Sequence, residues 1–328
     1  MKDKIKYIVA YIILFFLLFF ELPYYIDAPG GLDNLNNRVE VENAYKAKGT
    51  INLTYVKEIK ATPITSLIAL INPNWKLEPK NTDDNGTLDY DEMMIRQQIL
   101  NKQSYTSGIK FAYEAADKEV TIDEEYCYII YLFEEADTDL KVGDQLKKFD
   151  GKEINKCSDL RKYIDEKQSG EEYEVEVLDG DKEKVRKVKL VDIEGTPMIG
   201  VQMATVYSLT TEPKYKFKFN SSEYGPSGGL MISLAVYNSL VETDITGGKT
   251  IAGTGTLEPD GTVGEIGGIE YKIKGAVKKK ADIFFVPAGE NYEDAKKLIE
   301  KNHYKIELVK VETFDDALNY LLDNVVKK

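Results

Sequence analysis

The chain is expected to be an α+β protein of several domains, in which an N-terminal transmembrane helix precedes a β-rich middle domain and a C-terminal α/β domain. Three observations predict this. Residues 7–20 are uninterrupted apolar or aromatic, residues 125–203 set short β-prone runs around one helical stretch, and from residue 215 onward strand-like runs alternate with helical ones across glycine-rich turns. At ~100–200 residues per domain, 328 residues leave room for two or three cores. The boundaries read as 1–27 for the cytoplasmic tip and anchor, 28–120 for a linker and an α/β segment, 121–203 for the middle domain and 204–328 for the last.

In the first segment, the apolar run continues to Ile26, broken only by Glu21 and Pro23. About 20 residues suffice to cross a hydrocarbon core of ~30 Å, so one membrane span is expected. Lys2, Lys4 and Lys6 precede the run and the next basic residue is Arg38, which puts the N-terminus in the cytoplasm and the rest of the chain outside it. The alternative is a cleaved signal peptide. No small-x-small cleavage site follows the run, and Ala28 precedes Pro29, so an uncleaved anchor is the reading.

Residues 27–37 (DAPGGLDNLNN) are turn-rich and read as a linker. A strand is expected at 49–56, a helix at 65–71, a loop around Pro73, Trp75 and Pro79, and a long helix over 90–116. Residues 81–92 (NTDDNGTLDYDE) approach the EF-hand calcium pattern, with Asp83, Asn85, Gly86, Asp89 and Glu92 in register. Asn81 replaces the first aspartate and Pro79 interrupts any helix ahead of it, so the segment reads as an acidic, solvated turn.

Composition narrows the chemistry. A net charge of −13 and a pI near 4.9 argue against nucleic acid, which needs clustered basic surface. The single histidine, His303, excludes zinc sites that need two, and leaves a Ser-His-Asp triad only if it serves there itself. The two cysteines, Cys127 and Cys157, are too few for a disulfide framework or a four-cysteine zinc site, and are expected to pack as small apolar residues. No metal or cofactor is expected.

In the middle domain, the apolar run 127–133 precedes LKVGDQLKKFDGKEI at 140–154, a helix at 157–168, and strands at 172–177 and 185–191 joined through Asp179-Gly180. The string LKVGDQLKKFDGKEI resembles the signature of bacterial PDZ domains, and the resemblance covers about 75 residues. It implies capture of an extended peptide by strand addition.

The last domain carries the chemistry. YKFKF at 215–219 alternates like a strand and leads to Gly225-Pro226-Ser227-Gly228-Gly229 and an apolar helix over 230–241. A serine at a strand-to-helix turn sits beside N–H groups that lack helical partners, which are the parts of an oxyanion hole. Serine is also a favoured N-cap, and the turn alone does not choose between the two. Downstream, 251–269 (IAGTGTLEPDGTVGEIGGI) reads as strand, turn at Pro259-Asp260-Gly261, strand, then Gly267-Gly268 opening a helix with Lys272. On that helix Ile269, Ile273, Ala276 and Val277 form the apolar face, with Lys272 on its flank.

Together these residues resemble the proteolytic domain of the Lon peptidases, with its G-P-S-[AG]-G motif and a later G-G-[LI]-x-x-K helix. The resemblance makes Ser227 the nucleophile, Lys272 the general base 45 residues on, and Thr254 the hydroxyl that orients the lysine. Backbone N–H groups of Ser227 and Gly228 would form the oxyanion hole, and 284–291 (FFVPAGEN) resembles the family's strand ending in Pro and Asn. A neutral lysine can serve as base if burial lowers its pKa by about three units, a cost of ~4 kcal/mol. Tyr224 stands where many Lon proteins have an aspartate, and 243–250 (TDITGGKT) lacks the first glycine of a P-loop, so it reads as a loop.

The layout as a whole resembles the membrane-anchored, PDZ-containing Lon-like proteases of bacteria. It implies an endopeptidase that works without ATP on unfolded or small membrane-associated proteins. Its partners would be a protein or peptide substrate and the membrane, with self-association left open. The rival reading is a catalytically silent, membrane-tethered scaffold whose PDZ-like domain does the binding. A triad through His303 is the third, and its place between a helix and a strand favours an ordinary surface histidine.

Overall fold

The computed structural model describes residues 2–79, 88–218 and 225–327. Eight α-helices order these residues: α1 (Lys2–Phe19), α2 (Pro63–Ile71), α3 (Tyr90–Ala115), α4 (Cys157–Asp165), α5 (Gly229–Leu240), α6 (Ile269–Lys278), α7 (Glu290–Asn302) and α8 (Phe314–Leu321).

The first expectation needs correcting. Among the described residues no helix is long and apolar enough to cross a membrane. The reason lies in the sequence of α1, 18 residues long, or ~27 Å at 1.5 Å per residue. Lys2, Asp3, Lys4 and Lys6 occupy its start, and the chain leaves the helix at Phe20. The expected continuation to Ile26 is instead extended, and Ile26 is buried in the protein.

The expected linker is also a strand. Residues Tyr24–Asn34 pair antiparallel with Thr50–Lys60, and a bulge between Pro29 and Leu32 absorbs the Gly-Gly step. These strands belong to a six-stranded sheet whose order is Glu307–Val311, Ile283–Pro287, Thr250–Gly253, Thr50–Lys60, Tyr24–Asn34, Lys76–Pro79. The first four run parallel, Tyr24–Asn34 runs against them, and Lys76–Pro79 pairs antiparallel with Tyr24–Asn34. The sheet therefore crosses the expected boundaries, because strands from 24–79 complete a sheet begun by the C-terminal region.

Side chains alternate between its faces as the pleat requires. Ile251, Ile283 and Phe285 join one core with residues of α3, α5 and α8. Ala252, Phe284 and Val286 join another with residues of α6 and α7. No charged residue interrupts α5, and its side chains are buried along almost its whole length, as befits a central helix.

The middle region, Glu119–Leu132 through Val201–Glu212, forms a seven-stranded antiparallel sheet with α4 and a core of its own around Phe149, Leu160 and Val175. Here Cys127 and Cys157 are joined in a disulfide, contrary to their expected role as free apolar residues. Two cysteines make no framework, but one bridge needs only that its ends meet, and strand and helix bring them together.

The described part of the calcium-like segment has another use. Asp89 caps α3, its carboxylate accepting from the Glu92 N–H at 2.8 Å, while the Glu92 side chain accepts from the Asp89 N–H at 3.3 Å. Residues 80–87 of that segment lie outside the described residues, as do Glu223 and Tyr224.

Candidate active site

The site gathers where the strand Thr250–Gly253 ends and α5 and α6 begin. That strand passes through an irregular segment and α6 to its parallel neighbour Ile283–Pro287, a β-α-β unit. Ligand and catalytic sites of open parallel sheets lie beyond the carboxyl ends of their strands, and Thr254 is the first residue past this one. Its N–H donates to the Phe285 carbonyl at 3.1 Å, and it is fully buried.

The expected hairpin after Thr254 forms only in part. Thr256 and Gly264 exchange backbone bonds and the Glu258 N–H donates to the Thr262 carbonyl, but no second strand develops. The Pro-Asp-Gly turn is present, and glycines on both sides of it keep the ladder short.

Gly267 and Gly268 then open α6 as expected. Gly268 sits at φ 69°, and a Cβ there would lie 2.5 Å from Val56, so this corner requires glycine. Asn291, buried at the start of α7, accepts from the Ile266 N–H at 2.8 Å and donates to the Ile266 carbonyl at 3.0 Å. That amide pins the corner from which α6 departs.

One turn into α6, Lys272 is 4% exposed. Its neighbours Ile269, Ile273 and Ala276 pack into the core beside Ala252 and Phe284. Lys272 Nζ donates to Thr254 Oγ1 at 2.9 Å. Burial alone lowers its pKa from 10.5 to about 7, because the charged amine loses its water and gains no carboxylate in return. The sequence placed Lys272 on the flank of an apolar face, and the structure turns that flank inward. Lys274, by contrast, pairs with Glu270 on the same helix.

Ser227 stands in the turn before α5, whose N-cap is Gly228. The turn is tied to the lysine through Thr254. The Ser227 carbonyl accepts from Thr254 Oγ1 at 3.1 Å and from the Gly255 N–H at 2.9 Å. Thr254 thus faces both partners, accepting from the lysine amine and donating to the serine backbone. Among the described residues, no acceptor takes the backbone N–H of Ser227 or Gly228, and both lie at the positive end of α5. Thr254 therefore joins Lys272 to the backbone of the Ser227 turn, while among the described residues no hydrogen bond joins Ser227 Oγ to Lys272 Nζ. His303 is not of this cluster: it is exposed and closes the C-terminal end of α7 in a left-handed conformation.

Sequence reasoning missed the supports of the site. Thr54 Oγ1, buried on the adjacent strand, donates to the Gly253 carbonyl at 2.8 Å. Ser104 and Gln103, on α3, hold the turn and the loop from the other side. A signal was available. Polar residues at 103, 104 and 107 interrupt the helical run from Ile99 to Ile109 and Ala112, and all three are buried.

A family model for the C-terminal proteolytic domain of Lon protease (S16) matches residues 221–324, which contain Ser227, Thr254 and Lys272. Lon protease 2 of Bacillus subtilis is 31% identical over 100 residues, 30% of this chain and 17% of that protein. The Lon protease of Campylobacter jejuni is 32% identical over 99 residues, 30% of this chain and 12% of its own length. The chain thus spans less than a fifth of the curated relatives it matches. Among solved structures, the PDZ domain of an SdrC-like protein from Listeria monocytogenes is 28% identical, covering 26% of this chain and 92% of that one at a TM-score of 0.23. Over residues 221–324, then, the chain is similar to the proteolytic domain of the Lon proteases, and the rest of its length lies outside that match.

Proposed function

We propose that the protein is a serine endopeptidase with a Ser-Lys dyad, working without ATP on unfolded or short protein segments. The observation that carries this is Lys272, an amine buried without a carboxylate, lowered to about 7 and hydrogen-bonded to Thr254. A silent scaffold has no use for a lysine held at such a cost.

In this reading the neutral Lys272 amine takes the proton of Ser227 Oγ as that oxygen attacks the peptide carbonyl. Thr254 accepts one amine hydrogen and so aims the nitrogen lone pair. The developing oxyanion lies against the N–H groups of Ser227 and Gly228. The lysine ammonium then protonates the leaving amine, and water repeats the sequence to release the acyl group.

Around this core, the middle domain binds or gates an extended peptide by strand addition, as its PDZ-like signature suggests. Residues 241–249, between α5 and the strand Thr250–Gly253, are turns and bends rather than a strand-loop-helix nucleotide site. The apolar side chains of α1, among them Tyr11, Ile12, Phe15 and Phe19, are exposed, and lipid would cover them. A position at the outer face of a membrane accounts for these side chains and for a disulfide, which persists in oxidising compartments.

The test is hydrolysis of an unfolded model protein by the full-length chain in detergent without ATP, beside Ser227→Ala, Lys272→Ala and His303→Ala. Activity lost in the first two and kept in the third is expected; activity surviving Lys272→Ala would sink the dyad. Thiol alkylation in intact cells before and after reduction tests the location. Free Cys127 and Cys157 would argue against a place outside the cytoplasm.

A further inference from the structure

Two adjacent residues in the middle of α3, Gln103 and Ser104, are 6% and 2% exposed. About 100° apart on the helix, they face different neighbours. Gln103 looks toward the middle domain. The strand Val201–Glu212 lies at the end of the seven-stranded sheet, so its outward N–H groups need partners from elsewhere. Gln103 Oε1 accepts from the Thr205 N–H at 2.8 Å, and two residues on, the Tyr207 N–H donates to Thr106 Oγ1 at 3.3 Å.

The other half of the Gln103 amide turns to the loop after Thr254. Its Nε2 donates to Glu258 Oε2 at 2.7 Å. The second Glu258 oxygen accepts from Thr256 Oγ1 at 3.1 Å, and that hydroxyl accepts from the Gly264 N–H at 3.1 Å. Ser104 completes the junction: its hydroxyl donates to the Pro226 carbonyl at 2.8 Å and accepts from the Leu257 N–H at 2.8 Å. Pro226 directly precedes Ser227, and Leu257 lies three residues beyond Thr254. One turn of α3 therefore holds the edge strand of the middle domain, the loop that carries Thr254 and the turn that carries Ser227.

We propose that Gln103 and Ser104 are positioning residues that join the middle domain to the Ser227 turn, so that the placement of the strand Val201–Glu212 sets the turnover rate. This rests on the protease reading above. Both residues act on backbone that determines where Ser227 and Thr254 stand. An amide is the one neutral side chain here that can accept from a strand N–H and donate to a half-buried carboxylate with a single planar group.

The test uses polarity. In Gln103→Glu the bond from Thr205 survives, but the donor to Glu258 becomes a second carboxylate. We expect kcat to fall about tenfold or more, the range for a lost bond to a charged group, with KM within about twofold. In the double variant Gln103→Glu, Glu258→Gln the donor and acceptor are exchanged, and kcat should recover to near the native value. A merely structural role would lower the amount of folded protein and leave kcat per folded molecule unchanged. Should Gln103→Glu not fold, Gln103→Met, which keeps the bulk and makes neither bond, takes its place.

Amide hydrogen exchange supplies a readout independent of hydrolysis. In protein carrying Ser227→Ala, adding Gln103→Met or Ser104→Ala should speed exchange at 254–258 and 227–229. Unchanged kcat in Gln103→Glu, absent rescue in a folded double variant, or unmoved exchange would each overturn the proposal. If the native protein hydrolyses nothing, or if Ser227→Ala leaves hydrolysis intact, the protease reading fails by itself. Exchange then still decides whether the junction exists.

Discussion

Lys272 concentrates the physics of the site into one residue. Its pKa falls from 10.5 to about 7 through burial, so hydrolysis should rise with pH through about 7 as the amine loses its proton, then level off. Lys272→Arg, always charged, should be inactive at every pH. The same shift bears on stability. Between about 7 and 10.5 the unfolded chain holds a proton that the folded chain does not, so stability from this group rises with pH across that window. Below it the folded state carries the whole desolvation cost, on the order of 5 kcal/mol. Lys272→Met, which fills the same space without charge, should therefore stabilise the protein by roughly 1–4 kcal/mol at about pH 6, and by less at about pH 10. Urea unfolding at the two values measures it, and a destabilised Lys272→Met at the lower pH would contradict the account.

Among the elements, the crossing of α3 over α5 sets the tolerance of the site. A Cβ added at Gly229 would lie 2.0 Å from Ser104 Oγ and 2.9 Å from the Ser104 carbonyl, so the helices touch backbone to backbone there. Gly229→Ala should force them apart, destabilise the fold by ~1–3 kcal/mol and lower kcat by loosening the Ser104 bonds. Thermal unfolding and kinetics report the two effects separately. Elements like α5 and α6 were legible in the sequence because their apolar runs and glycine starts are local signals. The likeness of residues 221–324 to the Lon proteolytic domain was legible because two glycine-bearing motifs stand at that family's spacing. What escaped was non-local. Residues 27–37 read as a linker, since glycines and aspartates signal turns, yet pairing with Thr50–Lys60 overrides that preference. Gln103 and Ser104 are ordinary helix residues until a strand and a loop from more than 100 residues away arrive beside them.

At the scale of the whole molecule, the disulfide and the sheet divide the work. The Cys127–Cys157 bridge closes a segment with a sequence separation of 30 and lies within the middle domain. Its reduction should cost that domain ~2–4 kcal/mol, seen as an earlier melting transition in reductant, while the sheet under the active site keeps its own. That sheet is built from both ends of the chain. Thr250–Gly253 is flanked on one side by Ile283–Pro287 and on the other by Thr50–Lys60. The second contact includes the Asn52 side chain, which donates to the Ile251 carbonyl at 2.9 Å, and Thr54, which donates to the Gly253 carbonyl. Ile51 and Leu53 meanwhile enter the core around α5. A fragment of residues 204–328 would contain the trio and the whole family match, yet it would expose that strand edge and leave buried carbonyls without donors. It should not unfold cooperatively when heated, whereas residues 21–328, which keep both N-terminal strands, should. Circular dichroism melts of the two fragments decide this. A cooperative transition in 204–328 would mean that the C-terminal segment carries its own fold, and that the N-terminal strands are an addition rather than part of the active-site frame.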